Sequence, residues 1–446
     1  MRTMTLLSKV GAALFLLAPM DLPAAAEANA RPNVLFIAVD DLRPELACYG
    51  TRDQPIKSRT PNLDRLAESG LRFSHAYCNQ AVCGASRVSL MTGLYPEFTG
   101  ERSFHVTDWR KRWPEVVTLN QHFLANGYNV VGLGKIYHGT AGDGVDVQNW
   151  TEWIKVRGTT YASPESLKNM RTTRSRGKVR RRGPSTESAD VPNDTYSDGQ
   201  RAVAGAARLA ELAKEDKPFF LAVGLTKPHL PFIAPQRFWD LYQRESFAMP
   251  ENLGVPPGYP SYASNVMAGE LRSYSDIPES VPPSEFPPEL NKRLLHGYHA
   301  CVSYMDYNVG MLLDALEKSG KAGNTIVVFW ADHGWKLGDH TSWCKHTNFE
   351  CDARVPLIMR VPGKATAKGT SEALVELVDL YPTLCELVGL DQPDHLQGRS
   401  FVATLEDPAT SHRDFAYSSY PHGRGRETPV TGHSLRTADY RFTEWW

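Results

Sequence analysis

Asn33-Val-Leu-Phe-Ile-Ala-Val-Asp-Asp41 is an unbroken apolar run closed by two carboxylates. A segment that is apolar at every position, rather than at alternate ones, fits a strand covered on both faces, as in a parallel sheet. Such a strand delivers Asp40 and Asp41 at its carboxyl end, the edge at which open α/β sheets bind ligands. Outward from it, Thr60 as cap and Pro61 at the first position predict a helix with Leu63, Leu66 and Ala67 on one face. Further strands are expected over Tyr128 to Leu133, Phe219 to Val223, Thr325 to Trp330 and Pro356 to Val361. Helices are expected around Leu119 to Asn126, Tyr196 to Ala213, Leu294 to Leu316 and Leu377 to Val388. Strands alternating with helices predict an α/β fold with a doubly wound, mostly parallel central sheet flanked by helices.

Composition narrows the partners. Lys+Arg 49 against Asp+Glu 50 leaves a formal net charge of -1, so no nucleic acid is expected as a partner. An aromatic content of 10% with dispersed glycine and proline excludes wholesale disorder and coiled-coil architecture. Arg2 and Lys9, the apolar stretch Val10 to Met20 and the small residues Ala24 to Ala30 predict a signal peptide over 1–30, and hence an exported, periplasmic or secreted, protein. That apolar stretch is shorter than the roughly 20 residues of a membrane span, and no later segment is long enough either.

Two stretches break the strand–helix rhythm. Lys168 to Arg182 carries eight basic residues and no acid, which reads either as a solvated surface insertion or as a patch for a polyanion such as a sulfated glycan. Met249 to Pro288, dense in proline, serine and tyrosine, reads as a long loop of the kind that lines sites. Seven cysteines with no CxxC pair and no Cys/His zinc spacing read mainly as buried small hydrophobes.

Polar groups follow four of the predicted strands: Asp40 and Asp41; Lys135 and His138; Lys227 and His229; Asp332 and His333. Singly, these are a turn cap, a solvated lysine or a buried histidine. A parallel sheet, however, brings them to one edge. Three carboxylates there repel one another unless a cation sits among them, and oxygen ligation favours Ca²⁺ or Mg²⁺ over zinc or copper. The surplus of Lys, His and Arg then suits an anionic substrate.

Cys83-Gly-Ala-Ser-Arg87, continuing to Thr92-Gly93, resembles the sulfatase signature Cys-x-Pro/Ala-x-Arg followed by Thr-Gly. Asp40-Asp41, Thr60-Pro-Asn-Leu-Asp64, Gly134-Lys135, Lys227-Pro-His229 and Ala331-Asp-His-Gly334 match in order. Within that family the likeness is to the iduronate-2-sulfatase group, through Val39-Asp-Asp-Leu-Arg-Pro44, Lys227-Pro-His-Leu-Pro-Phe232, Asp332-His-Gly-Trp-Lys-Leu-Gly338, His346-Thr-Asn-Phe349 and Ser434-Leu-Arg-Thr-Ala-Asp-Tyr440.

The resemblance implies an alkaline-phosphatase-like fold, with a catalytic domain over 31–375 and a C-terminal part over 376–446 bearing a smaller antiparallel subdomain, reduced or truncated here. It implies that Cys83 is oxidised to formylglycine by a formylglycine-generating enzyme or an anaerobic maturase. It implies a metal, Ca²⁺ before Mg²⁺, at Asp40, Asp41, Cys83, Asp332 and His333. The hydrated aldehyde would attack sulfur while Lys135 and Lys345 hold the sulfate oxygens and His229 protonates the leaving alcohol. Arg87 and His138 would orient the nucleophile, and Lys227 would add to substrate binding. Trp335 reads equally as a wall for a sugar ring or as a core residue, and Cys344 and Cys351 flank the Lys345 loop and could be bridged, although spacing alone does not supply the geometry a disulfide needs. The substrate implied is a sulfated carbohydrate such as a 2-O-sulfated uronic acid. The alternatives are a phosphonate monoester or phosphodiester hydrolase of the same superfamily, and an inactive glycan-binding relative.

Overall fold

The first apolar run forms strand β1, Asn33–Asp40, with every residue buried. The computed structural model describes residues 31–50, 57–103, 109–138, 146–175, 178–264, 268–363, 368–422 and 430–446, and of 173–175 and 178–180 the backbone alone. The expected signal peptide lies outside the described residues, as do 176–177 of the basic insertion and 265–267 of the long loop.

With β1 in the middle, the main sheet comprises β2 (Leu71–Tyr77), β3 (Asn129–Gly134), β4 (Glu152–Ile154), β5 (Phe219–Pro228), β6 (Thr325–Ala331), β7 (Arg354–Arg360) and β8 (Gly369–Glu376). Their order is β8-β2-β7-β6-β1-β5-β3-β4. All run parallel to β1 except β7, which pairs antiparallel with both β6 and β2. The expected mostly parallel sheet is therefore present. β2, β4 and β8 were not anticipated. Each lies at or next to an edge of the sheet, where polar residues such as Arg72, Ser74, His75 and Glu372 replace the apolar run of a central strand.

Helices cover the sheet, among them α1 (Pro61–Ser69), α2 (Cys83–Thr92), α3 (Ser197–Leu212) and α4 (Pro288–Lys318). Helix α4 starts earlier than its apolar pattern suggests because Pro288 stands at its first position, where a missing N–H costs nothing. Among the described residues no helix is long and apolar enough to cross a membrane.

Register decides where the polar strand ends meet. Val39 lies opposite Ala331 and Asp40 opposite Pro228, so Asp40-Asp41, Asp332-His333 and Lys227-Pro-His229 leave the sheet side by side. On β5's other side, Gly134 faces Gly224. Gly134 has φ +74, and a Cβ there would lie 2.0 Å from the Gly224 carbonyl oxygen, so only glycine lets the chain turn here and bring Lys135 towards β1.

A three-stranded antiparallel sheet, Ala416–His422, Val430–Arg436 and Arg441–Trp445, packs beside the carboxyl edge. Asn79 and Asn348 tie it to the main body by donating to the carbonyls of Tyr417 at 3.1 Å and Gly432 at 3.1 Å. Within the basic insertion, Arg171–Ser175 pairs antiparallel with Lys178–Arg182. The register explains how so basic a segment pairs: Thr172, Thr173, Val179 and Ser175 each face a base, leaving Arg171 opposite Arg182 as the one like-charge pair.

One buried ion pair anchors the loop that carries Lys345. The fully buried Lys336 ammonium bonds Asp352, which also accepts from the Thr347 amide at 3.0 Å and hydroxyl at 2.6 Å. Lys336→Met leaves the Asp352 charge buried without its cation. The expected cost is about 3–5 kcal/mol of unfolding free energy, read as a lowered urea midpoint; a midpoint within error of the parent would contradict this role.

Candidate active site

Successive residues of a strand face opposite ways, so Asp40 and Asp41 could not share a site if β1 simply continued. It ends instead in a left-handed turn, with Asp41 at φ 60. Tyr298 of α4 secures that turn: its hydroxyl donates to the Asp41 carbonyl at 2.9 Å and accepts from the Arg43 amide at 3.1 Å. The Asp41 amide donates to Asp332 Oδ1 at 3.3 Å.

Cys83, the first residue of α2, is 2% exposed. Its sulfur lies 3.2 Å from His333 Nε2, while His333 Nδ1 faces the Gly334 carbonyl at 2.9 Å. With the ring proton on Nδ1, Nε2 offers a lone pair to the cluster. Asp40, Asp41, Cys83 and His333 each present a ligand atom, and all four atoms lie within 4.8 Å of one another. Asp332, the remaining expected ligand, stands beside them with Oδ1 3.6 Å from His333 Nε2.

Three cations brace these carboxylates. Arg87, buried completely, donates from Nε to Asp332 Oδ2 at 2.8 Å and from its terminal nitrogens to the carbonyls of Val39, Lys135 and Ile136. It thereby ties the ends of β1 and β3 to the Asp332 turn. The Lys135 ammonium bonds Asp40. Lys345 donates to Asp41 Oδ1 at 2.8 Å, from a loop whose flanking residues Cys344 (φ 71) and His346 (φ 84) both take the left-handed conformation. Backbone strain on both sides of one lysine is the kind that persists where position matters.

The charges set one another. Burial pushes the Asp40 carboxyl up, but Lys135, with His229, Arg87 and Lys345, outweighs it and holds the group well below the usual range. For Asp41 burial prevails over Lys345, and the carboxyl is raised. Burial, aided by Asp40, pushes the Cys83 thiol well above its ordinary value, which overrides its position at a helix N-terminus. His138 is pushed down to about 3 by burial and the Lys135 charge, and is neutral.

A member of the site that sequence reasoning did not name is Glu270. Its carboxylate lies 3.0 Å from His229 Nε2 and 2.8 Å from Lys345 Nζ. Burial would raise it, but Lys345 and His229 hold it well below the carboxylate range. The long loop was expected to line a site, yet no spacing within it distinguished this glutamate.

Two expected substrate contacts, Trp335 and Lys227, are corrected, and one open pairing is answered. Trp335 is fully buried, edge-on to Phe232 and with the Lys345 ammonium 4.8 Å from its ring centroid, so it supports that lysine from the core and offers no wall to a sugar. The Lys227 ammonium donates to the carbonyls of His229 at 2.9 Å and Pro231 at 2.6 Å, fixing the turn that carries His229 rather than reaching for substrate. Cys344 and Cys351 are both free thiols: Cys344 is buried in a short strand, and the Cys351 sulfur sits 3.7 Å from Asp352 Oδ1.

The donor set suits a divalent cation. Buried carboxylates, an imidazole lone pair and the side chain at position 83 converge, and Asp40 Oδ1 accepts no hydrogen bond among the described residues. The Arg87 guanidinium stands 3.9 Å from it, too far for a hydrogen bond, so this buried oxygen keeps a lone pair for a metal ion.

Comparison with known proteins shows what the chain is similar to. A family model described as Sulfatase matches residues 32–390, and one described as N-sulphoglucosamine sulphohydrolase, C-terminal, matches 338–446. The iduronate 2-sulfatase of Homo sapiens is 34% identical, the match covering 93% of this chain and 84% of that protein. Among solved structures, BT4656 in complex with its substrate D-glucosamine-2-N,6-O-disulfate superposes with a TM-score of 0.68 at 22% identity, covering 93% of this chain and 90% of that one. A phosphonate monoester hydrolase from Silicibacter pomeroyi superposes with a TM-score of 0.70 at 22% identity, covering 93% and 87%. At these identities the two structures speak for the fold.

Proposed function

This chain belongs to the sulfatase family, and on that premise we propose that it removes sulfate from a sulfated carbohydrate through a formylglycine made from Cys83 beside a bound calcium ion. The observation that carries this reading is the meeting of Asp40, Asp41, Cys83 and His333 within 4.8 Å, braced by Lys135 and Lys345. Likeness to an iduronate 2-sulfatase over most of the chain supports a 2-O-sulfated uronic acid as the sugar. The charged and apolar segments of residues 1–30 support export, and the catalytic portion is read as 31–375, its boundary next to the end of β8.

When present, hydrated formylglycine supplies a nucleophilic hydroxyl, and the divalent ion favours its ionised form and draws charge from the sulfate oxygens. Asp40, Asp41, Asp332 and His333 would hold the ion. Arg87 keeps Asp332 and the ends of β1 and β3 in register. Lys135 and Lys345 bind sulfate oxygens, placing fixed positive charge where negative charge grows in the transition state. His229 Nε2, 4.0 Å from Asp40 and 3.9 Å from Asp41, faces the same space and protonates the leaving alcohol oxygen. His138, kept neutral by burial and the Lys135 charge, orients the nucleophile without adding positive charge beside it. Because Cys83 is buried, the modifying enzyme, a formylglycine-generating enzyme or an anaerobic maturase, acts before the chain folds.

Lys345→Ala is expected to lower kcat/KM for a sulfate ester on the order of 10²–10³-fold. Parallel assays of an aryl sulfate and an aryl phosphodiester test the reaction class. A strong sulfate preference is expected, and a phosphodiester preference would favour the phosphonate-hydrolase reading.

A further inference from the structure

Hydrolysis of a sulfate ester changes the charge of the anion in the pocket. The bond between sulfur and the ester oxygen breaks, water supplies the elements of the new alcohol hydrogen and sulfate oxygen, and a proton goes to solvent. The ester group enters with one negative charge and inorganic sulfate leaves with two. Cations that attract the first attract the second more strongly, because Coulomb attraction scales with the charge of the anion. A site built of Lys135, Lys345 and His229 around a divalent ion would therefore retain its product.

Glu270 is placed to oppose this. It comes from the long loop rather than from the sheet edge, and its carboxylate forms with Asp41 and His229 a second group of ligand atoms within 4.8 Å of one another, adjoining the four that converge on the metal position. Its carboxylate bridges two of the cations assigned to the substrate, Lys345 at 2.8 Å and His229 at 3.0 Å. Its side chain is 19% exposed and that of Lys345 2%, so solvent screens the interaction little. We propose that Glu270 is a charge-setting, positioning residue that lets the pocket hold a monoanionic sulfate ester yet release the dianionic product; this rests on the sulfatase reading above.

The charge dependence gives the test its form. If removing the Glu270 charge tightens a monoanion by some factor, it tightens a dianion by about the square of that factor. Methyl sulfate and inorganic sulfate, titrated calorimetrically into the calcium-loaded protein, are the monoanion and dianion probes. In Glu270→Gln, a gain of about threefold for methyl sulfate should accompany a gain of about tenfold for sulfate, and product inhibition should deepen accordingly. Glu270→Ala should show the same asymmetry, and Glu270→Asp, which keeps the charge, should retain the parent ratio. Equal changes for the two ions, no change in either, or an Asp variant that behaves like Gln would overturn the role of Glu270 alone. A parent protein that binds neither ion, or a Lys345→Ala variant that binds both undiminished, would overturn the sulfate site itself and this role with it.

Discussion

Cys83→Ala is expected to abolish sulfate ester hydrolysis, a loss on the order of 10⁴-fold or more, as when a covalent nucleophile is removed. The expectation comes from position and environment together. Cys83 opens α2 with its sulfur 3.2 Å from His333 Nε2 and within 4.8 Å of ligand atoms on Asp40 and Asp41. As a thiol it is held protonated by burial and by the Asp40 charge, so it is poorly suited to attack unaided. The side chain is small, and alanine at the start of a buried helix leaves the packing of α2 nearly intact. Circular dichroism and thermal unfolding close to the parent should therefore accompany the lost turnover. Undiminished turnover in the variant would remove position 83 from the reaction and favour an unrelated chemistry on the same fold.

Asp40→Asn should lose the divalent ion and the activity together. The amide keeps the shape of the side chain but gives up the charge that balances Lys135, and it leaves that ammonium buried beside a neutral group. Changes outside the ligand shell typically cost metal sites 10–100-fold in affinity, so loss of a ligand charge should cost at least about 100-fold. Metal content after dialysis reads this directly. The parent should also gain thermal stability on adding calcium, by about 2.7 kcal/mol at a hundredfold excess over Kd, whereas the variant should gain little. Equal metal content in both proteins would show that Asp40 serves Lys135 alone.

Much of this site was legible because a parallel sheet converts sequence pattern into place. The run Val34 to Val39 reads as a central strand, and the carboxyl-edge rule then brings Asp40, Asp41, Asp332 and His333 together from sequence alone. What escaped reading has physical reasons. β2 and β8 are edge or near-edge strands whose polar residues break the apolar signal. The left-handed turn at Asp41 depends on Tyr298, 257 positions away, which no local pattern records. Lys227 and Trp335 sit beside residues of the candidate site in sequence, yet one is consumed by backbone carbonyls of its own turn and the other by the core beneath Lys345. Glu270 reaches the site from an irregular loop, where neither helical nor strand periodicity constrains which side chain points inward.

The most direct test is the mass of the peptide containing Cys83, taken from protein made in its native host and shown to hydrolyse a sulfate ester. Formylglycine at position 83 in the active fraction is the predicted result. An active preparation in which that residue is cysteine throughout would contradict the account at its centre.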